Sequence, residues 1–220
     1  MGLAFPYEGA SWAVASDGGV FALGTASFFG SMGGKALNAP VVGIAGSSDG
    51  GGYWEVASDG GVFAFGDAHF HGSMGGQHLN KPVVGIAATH DGGGYWEVAS
   101  DGGVFTFGDA HFHGSMGGKA LNAPIVGIAA TSDGGGYWEV ASDGGVFAFG
   151  DANPYGSLGA MPPNDPVVGI LPAASGTGYL EVTSAGGVFP FGTAYAYGSL
   201  AGVPLAAPVV GLASAAGTTT

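Results

Sequence analysis

The chain has 220 residues and no cysteine, which excludes disulfide scaffolds, cysteine-based zinc sites and thiol nucleophiles. It carries 3 basic residues against 16 acidic ones, and the net charge of −13 argues against nucleic acid or anionic lipid as a partner. Its 48 glycines and 12 prolines interrupt every apolar run, so we expect neither long helices nor membrane insertion.

The chain is built from five copies of a 42-residue repeat. Its tryptophan recurs at Trp12, Trp54, Trp96 and Trp138, and Leu180 replaces it in the fifth copy. Each copy contains four short runs suited to strands, which we call A, B, C and D, typified by VVGIAA, GYWEVAS, GVFAFG and HFHGSM. A period of this length is typical of propellers, solenoids and arrays.

The turn residues indicate how the four runs pair. Run B is followed by Asp-Gly-Gly, as at Asp59 and Asp101, which is a strong hairpin signal and predicts antiparallel pairing with run C. Runs C and D are separated by Gly-Asp-Ala or Gly-Thr-Ala, which is too short for anything except a reversal. A parallel β-helix is disfavoured because its coils do not contain such hairpins. We therefore predict that each copy folds into a four-stranded antiparallel meander, which has the size of one propeller blade.

We expect an all-β, five-bladed β-propeller in a single domain over residues 1–215, with a linker at 216–220. The first copy opens at run B, and residues 2–10 do not match VVGIAA, whereas a surplus A run follows the last copy. This predicts that residues 209–214 pair beside the Trp12 strand and close the ring, leaving no free strand edge. The expected blades are 9–35 plus 208–214, 40–77, 82–119, 124–160 and 166–203.

The glycine at the centre of every A run adds a constraint on that fold. A glycine inside a strand weakens it and usually marks close approach of another backbone. The glycines at 43, 85, 127, 169 and 211 keep the repeat spacing. They therefore predict that run A is the innermost strand, where the blades crowd the axis.

The segments GYWEVASDGGVFAFGDAHFHGSM and LNKPVVGIAAT resemble tandem repeats of secreted, cell-wall-associated actinobacterial proteins, of the type GYWxVASDGGxFxFGDAxFxGS. The resemblance covers residues 11–214 and weakens in the fifth copy. It implies a propeller with an extracellular or cell-surface location, often fused to other domains. A looser, architectural resemblance is to five-bladed propeller lectins of the tachylectin-2 kind, which implies sugar sites at the blade junctions.

The Tyr-Trp-Glu triplet of run B is the strongest candidate for ligand binding. Strand alternation places tyrosine and glutamate on one face and tryptophan on the other. An aromatic ring beside a carboxylate suits a pyranose, although both faces of a blade can equally be buried against its neighbours. The candidate triplet residues are Trp12, Trp54, Trp96, Trp138, Tyr53, Tyr95, Tyr137, Glu55, Glu97 and Glu139.

The loop from run D to the next run A is the longest in each copy and is expected at the same end of the ring as the B–C turns. It contains an asparagine before the proline, at Asn38, Asn80 and Asn122, which either binds a ligand or starts the turn. His69 with His71 and His111 with His113 form at most an adventitious metal half-site on one face of run D, and surface variation explains them equally. We expect no metal and no cofactor.

Near-identical copies argue against catalysis, because an acid and a nucleophile need two different environments. No Ser/His/Asp set, metal motif or phosphate loop is present in the sequence. The sequence therefore predicts a non-catalytic, multivalent, lectin-like module for glycans or cell-wall polymer, acting as a monomeric ring. The alternative is a structural or protein-interaction scaffold with no small ligand.

Overall fold

The computed structural model describes residues 2–5 and 9–212, and within them the chain is all-β. The only helical element there is a single 3₁₀ turn at Leu158–Ala160. The strands are β1 (Gly2–Ala4), β2 (Ala10–Val14), β3 (Val20–Gly24), β4 (Val41–Gly46), β5 (Gly52–Ala57), β6 (Val62–Gly66), β7 (Val83–Ala88), β8 (Gly94–Ala99), β9 (Val104–Gly108), β10 (Ile125–Ala130), β11 (Gly136–Ala141), β12 (Val146–Gly150), β13 (Val167–Pro172), β14 (Gly178–Thr183) and β15 (Val188–Gly192).

The strands form five three-stranded antiparallel sheets, each in chain order and each corresponding to one repeat. We call these sheets blades one to five, because the architecture is compatible with a β-propeller. The B–C hairpins form as predicted: in blade two, Gly60 takes a left-handed conformation (φ 78°) and Asp59 Oδ1 accepts the N–H of Gly61. Runs B and C are thus confirmed as strands in every copy, and run A is confirmed at β4, β7, β10 and β13 but not at residues 209–212.

Run D does not form a ladder strand in any blade, so the predicted fourth strand is not observed. In blade two its path is interrupted by Gly72, whose φ of 124° lies outside the strand region. The segment is held instead by side chains, because Trp54 Nε1 donates to His69 O and Tyr95 Oη donates to Gly72 O. In blades one to four, each D segment therefore serves as an outer strap tied to its own blade and to the next one.

The A strands line the axis of the array, as their central glycines predict. A Cβ on Gly85 would lie 3.6 Å from the Cα of Gly127, and one on Gly127 would lie 4.0 Å from the Cα of Gly169. Each of the strands β4, β7, β10 and β13 also carries a bulge next to this glycine. Backbones of neighbouring blades therefore approach each other at the axis, within van der Waals contact of a Cβ at these positions.

The predicted pairing of residues 209–214 beside the Trp12 strand is wrong. That place belongs to β1, whose Leu3 pairs with Ala13 and whose Ala4 pairs with Trp12. Residues 209–212 lie against blade five instead, where Val209 N–H donates to Ser184 O. Ser214 and residues 216–220 lie outside the described residues. Blade one therefore has its own inner strand, and its predicted composition of 9–35 plus 208–214 is corrected.

The core lies between the blades. Tyr53 packs with Trp12 of blade one, while Trp54 packs with Tyr95 of blade three, so adjacent residues of β5 face opposite neighbours. This confirms the predicted alternation of faces. Within the described residues, no helix is long and apolar enough to cross a membrane.

Candidate functional site: the blade junctions

The tryptophans of the triplet are structural. Trp54 and Trp96 are fully buried, and each ring lies 5.6 Å from the tyrosine ring of the following blade. Trp96 Nε1 also donates to His111 O at 2.8 Å, which fixes the D segment of its own blade. Trp12 and Trp138 make the equivalent contacts. None of these four side chains presents surface to a ligand.

The tyrosines tie each blade to the one before it. Tyr95 Oη donates to Gly72 O and accepts the N–H of His71, so one hydroxyl satisfies two backbone groups of the preceding D segment. Its burial raises the pKa of Tyr95 to about 12. Tyr53 and Tyr137 are equally buried and make the same pair of bonds, and Tyr179 repeats the arrangement in blade five.

The glutamates are fully buried at the same junctions. Burial raises the pKa of Glu97 to about 8, against a weaker opposing effect of the hydrogen bond from the Met74 backbone. Neither oxygen of Glu97 has a geometrically good hydrogen bond, and Oε2 lies against Gly60 in the hairpin of the preceding blade. A carboxyl group in such a place favours its neutral, protonated form.

The charges around these carboxyls differ from blade to blade. Lys35 lowers the pKa of Glu55, which burial raises to about 7. Lys119 acts on Glu139 in the same way, although burial still raises that pKa to about 8. Glu181, which the sequence argument overlooked as a site residue, has a pKa raised by burial to about 7. An aspartate of the preceding hairpin raises each pKa further: Asp17, Asp59, Asp101 and Asp143.

The triplet residues predicted as ligand contacts are therefore core residues that hold successive blades together. Their side chains are between 0% and 1% exposed, so a sugar cannot reach them without separation of the blades. The physical reason is that both faces of an interior blade are covered by its neighbours. Their recurrence is explained by the junction itself.

The predicted asparagines, unlike the buried Tyr-Trp-Glu triplet, are exposed at the surface. Asn38 is exposed and lines a cavity of about 280 Å³ together with Asp59 and Phe63 of the next hairpin and Ser73 of the D segment that follows that hairpin. Asn122 lines the equivalent cavity, of the same volume, with Asp143, Phe147 and Ser157. We call these two cavities the junction pockets. Asn80 is exposed at the corresponding position of the intervening copy.

The junction pockets combine an aromatic ring with converging polar groups. Asp59 Oδ1 is held by the Gly61 N–H, and Ser73 Oγ accepts the N–H of Gly75, so both side chains are fixed in place by the turns. Phe63 is half-buried, and the ring of Phe70, 59% exposed, stands at the rim. The D–A loop and the B–C turn thus meet at one end of the array, as the meander predicts. Sequence reasoning missed Asp59 and Phe63 because each has a sufficient local explanation, as turn former and strand residue.

The opposite loops hold paired aspartates. Thr89 Oγ1 donates to Asp91 Oδ1 at 3.0 Å and lies 3.1 Å from Asp109 Oδ1, and Ser47 bridges Asp49 and Asp67 in the same way. The backbone N–H of Gly93, followed by the Thr89 hydroxyl, lowers the pKa of Asp91. These bonds explain the aspartates as loop-forming residues. No group of three or more metal-ligating side chains occurs within residues 2–5 and 9–212.

The histidine pairs are split between two environments. His69 and His111 are exposed, whereas the rings of His71 and His113 pack against Tyr95 and Tyr137. The Nε2 atoms of His71 and His113 are buried and have no hydrogen-bond partner. The predicted placement of both imidazoles on one strand face does not hold, because run D is not a regular strand.

No protein-family model matches this chain, and a search of curated proteins found no match.

Proposed function

We propose that this protein is a non-catalytic, extracellular binding module that takes up glycan or cell-wall polymer through its junction pockets. The observation that carries the proposal is the recurrence of one pocket, with equivalent residues and equal volume, two repeats apart. The five blades form a propeller-like scaffold that orients these pockets at one end.

The chemistry of the pocket supports a sugar ligand. A pyranose offers one C–H face and several hydroxyls, and the pocket offers the Phe63 ring with the amide of Asn38 and the carboxylate of Asp59. Charge-assisted hydrogen bonds from sugar hydroxyls to a carboxylate are stronger than neutral ones. The Asp59 side chain is also held by the N–H of Gly61 in its turn, which lowers the entropic cost of binding.

Repetition supports a polymeric ligand. One shallow pocket with a single half-buried ring gives weak affinity, whereas two or more equivalent pockets on one rigid array raise the effective affinity for a chain that spans them. The net charge of −13 disfavours polyanionic polymers, so the ligands best suited to these pockets are neutral or amino-bearing glycans.

The test is a glycan array followed by isothermal titration calorimetry with the best polymeric ligand. The variant Asn38→Ala/Asn122→Ala removes one polar group from each junction pocket and is expected to weaken binding about tenfold or more, which corresponds to about 1.4 kcal/mol. Gln77→Ala is the matched control, because Gln77 is exposed in the equivalent loop but is not a lining residue of either junction pocket. This control is expected to bind as the native chain does.

Three results would contradict the proposal. If no glycan on the array binds the protein, and circular dichroism confirms that it is folded, glycan binding is excluded as its function. Equal weakening by Gln77→Ala and by the double variant would show that binding occurs elsewhere. Release of product from chromogenic glycosides, abolished by Glu97→Gln, would overturn the non-catalytic part.

A structural scaffold is the second candidate, and the burial of the Tyr-Trp-Glu triplet favours it. Because the triplet is accounted for by blade-to-blade contacts, its recurrence does not require a small ligand. In that case the array is an acidic spacer or protein-interaction module of a larger secreted protein. The absence of glycan binding described above is the outcome that this candidate predicts.

A further inference from the structure

The two ends of the array are uncovered, although the four interior junctions are closely packed. The D segment of blade five carries Tyr197, which is 96% exposed. Its equivalents in the other blades are at least half-buried against the next blade: Phe29, His71, His113 and Tyr155. Within the described residues, nothing covers Tyr197 in the way that the next blade covers those four side chains.

The same difference appears at the glycine beside this residue. A Cβ on Gly72 would meet the Phe107 ring of the following blade at 2.8 Å, and the other interior equivalents meet a phenylalanine at 2.8–2.9 Å. A Cβ on Gly198 would meet nothing within 4 Å. Gly72 O also accepts the hydroxyl of Tyr95, whereas no hydroxyl of the described residues reaches Gly198 O.

The rest of this face of blade five is exposed in the same manner. Leu200 is 48% exposed and Val210 is 53% exposed, although their counterparts Met116 and Val126 are half-buried. The hairpin residue Gly186 keeps the left-handed conformation (φ 77°) against which a glutamate lies at the interior junctions. Blade five therefore presents the receiving half of a junction, with Leu180 in place of the tryptophan and Ala185 in place of the hairpin aspartate.

The opposite end of the array shows the complementary pattern. On blade one, Phe21 is 58% exposed and Leu23 is 49% exposed, whereas Phe63 and Phe65 of blade two are half-buried. These are the positions that pack on a preceding blade, as Phe65 packs on Gly30. The two uncovered faces are thus the two halves of one type of interface.

The axis shows how many blades the array accommodates. Six segments, not five, line the axial cavity: β1, β4, β7, β10, β13 and residues 210–212. Val209 N–H bonds to Ser184 O just as Val167 N–H bonds to Ser142 O, so this sixth segment follows blade five in the register of an inner strand. Leu212 reaches the position of a Cβ on Gly169, which extends the axial packing by one step.

We propose that the array is five-sixths of a six-bladed ring, and that the sixth position binds one further blade of this same repeat, joined in tandem through residues 209–212. The incoming blade presents a tyrosine to Gly198 O and a glutamate to Gly186, as the interior blades do. Anchoring is on the blade-five side, because blade one carries Ser11 and Ala13 where the others carry the tyrosine and glutamate.

The test inserts one extra repeat into the full chain. Residues 87–119 are duplicated directly after Leu212, so that the copied strand equivalent to β8 follows the sixth inner segment. We expect the melting temperature to rise by about 5 °C or more, since a new junction and a closed ring bury the uncovered faces. Amide hydrogen exchange should show protection of the inserted strands equal to that of β8 and β9.

Two controls sharpen this experiment. In the first, the inserted copy alone carries the equivalents of Tyr95→Ala and Glu97→Ala, which should abolish most of the gain. In the second, residues 87–128 and then residues 87–119 are inserted in series, so that the second copy also has its own inner strand. Only the first copy should add stability, because the ring has one open position.

The proposal fails if the single insert is unprotected and leaves the melting temperature unchanged, or if the alanine-bearing insert stabilises equally. If the second inserted copy raises the melting temperature as much as the first, the ring has more than one open position, which contradicts a six-bladed ring. A native chain that dimerises in solution, with Tyr197 protected in the dimer, would show that the end faces bind each other instead.

Discussion

The interior junctions and the two end faces of this array use the same repeat but differ in what covers them. At the junction between blades three and four, Trp96, Tyr137 and Glu139 are buried, and the Tyr137 hydroxyl bonds two backbone groups. At the ends the triplet is incomplete, with Ser11 and Ala13 in blade one and Leu180 in blade five. The triplet is therefore retained where a neighbouring blade is present and is lost where the described chain provides none. This difference indicates that the triplet acts in assembly, and in the function proposed above ligand recognition belongs to the junction pockets instead.

The largest expected effect on the interior junctions comes from pH. Burial raises the pKa of Glu97 and Glu139 to about 8 and of Glu55 and Glu181 to about 7, above their ordinary value near 4.5. The folded state therefore holds protons that the unfolded state releases, and this stabilisation is complete below pH 4.5 and is lost as pH rises to about 8. Urea unfolding should give a lower free energy of unfolding at pH 9 than at pH 5.

The variant Glu97→Gln sharpens this prediction, because glutamine resembles the protonated acid and does not titrate. We expect it to reduce the loss of stability between pH 5 and pH 9. Asp165→Asn, at an exposed loop position, is the matched control and should leave the pH dependence unchanged. A native chain that is as stable at pH 9 as at pH 5 would contradict the burial of neutral carboxyls.

Truncation of an interior tryptophan comes next in size. Trp96→Ala removes a fully buried side chain, its ring contact with Tyr137 and its hydrogen bond to His111 O, and should cost about 3–5 kcal/mol of unfolding free energy. Leu180→Ala, at the same position of blade five, should cost clearly less, because Leu180 is only half-buried. If chemical denaturation gives equal losses of unfolding free energy for the two variants, the interior and end positions do not differ in packing, which contradicts the prediction.

Removal of a single hydroxyl tests the tie between blades. Tyr137→Phe leaves Gly114 O and His113 N without their partner and should cost about 1–3 kcal/mol. Tyr197→Phe, at the uncovered end, should change the free energy of unfolding by less than about 0.5 kcal/mol. Comparable losses in the two variants would show that Tyr197 is held by a contact like those inside the array.

The smallest expected effect on stability comes from restoring the interior residue in blade five, at the end of the array. Leu180→Trp restores the interior residue, but without a following blade its ring lacks the tyrosine partner that Trp138 finds in Tyr179. We expect a change in melting temperature of no more than about 2 °C. A stabilisation as large as the loss in Trp96→Ala would mean that tryptophan acts within its own blade alone.

Much of the fold followed from local rules. Hairpin turns such as Asp59-Gly60-Gly61 predicted the pairing of runs B and C, and strand alternation predicted that Tyr53 and Trp54 lie on opposite faces of the blade. The axial approach of Gly85 was predicted from its place inside a strand. These features depend on the backbone and on a few adjacent residues.

What could not be predicted depends on contacts between repeats. Alternation assigns Trp54 to a face but does not tell how deeply the next blade buries that face, so the triplet resembled a binding site. Run D has the composition of a strand, yet the tyrosine and tryptophan side chains bind its backbone groups in place of a ladder. The inner strand of blade one was missed because Gly2 stands one residue closer to Gly43 than the repeat length requires.

The most direct test of the division between assembly and recognition is a crystal structure of the chain soaked with the glycan selected by the array. We predict sugar density in the junction pockets, within hydrogen-bond distance of Asn38 and Asp59 or of Asn122 and Asp143, with the tryptophans still buried. Density on the faces of Trp54 or Trp96, with the blades separated to admit the ligand, would contradict the account.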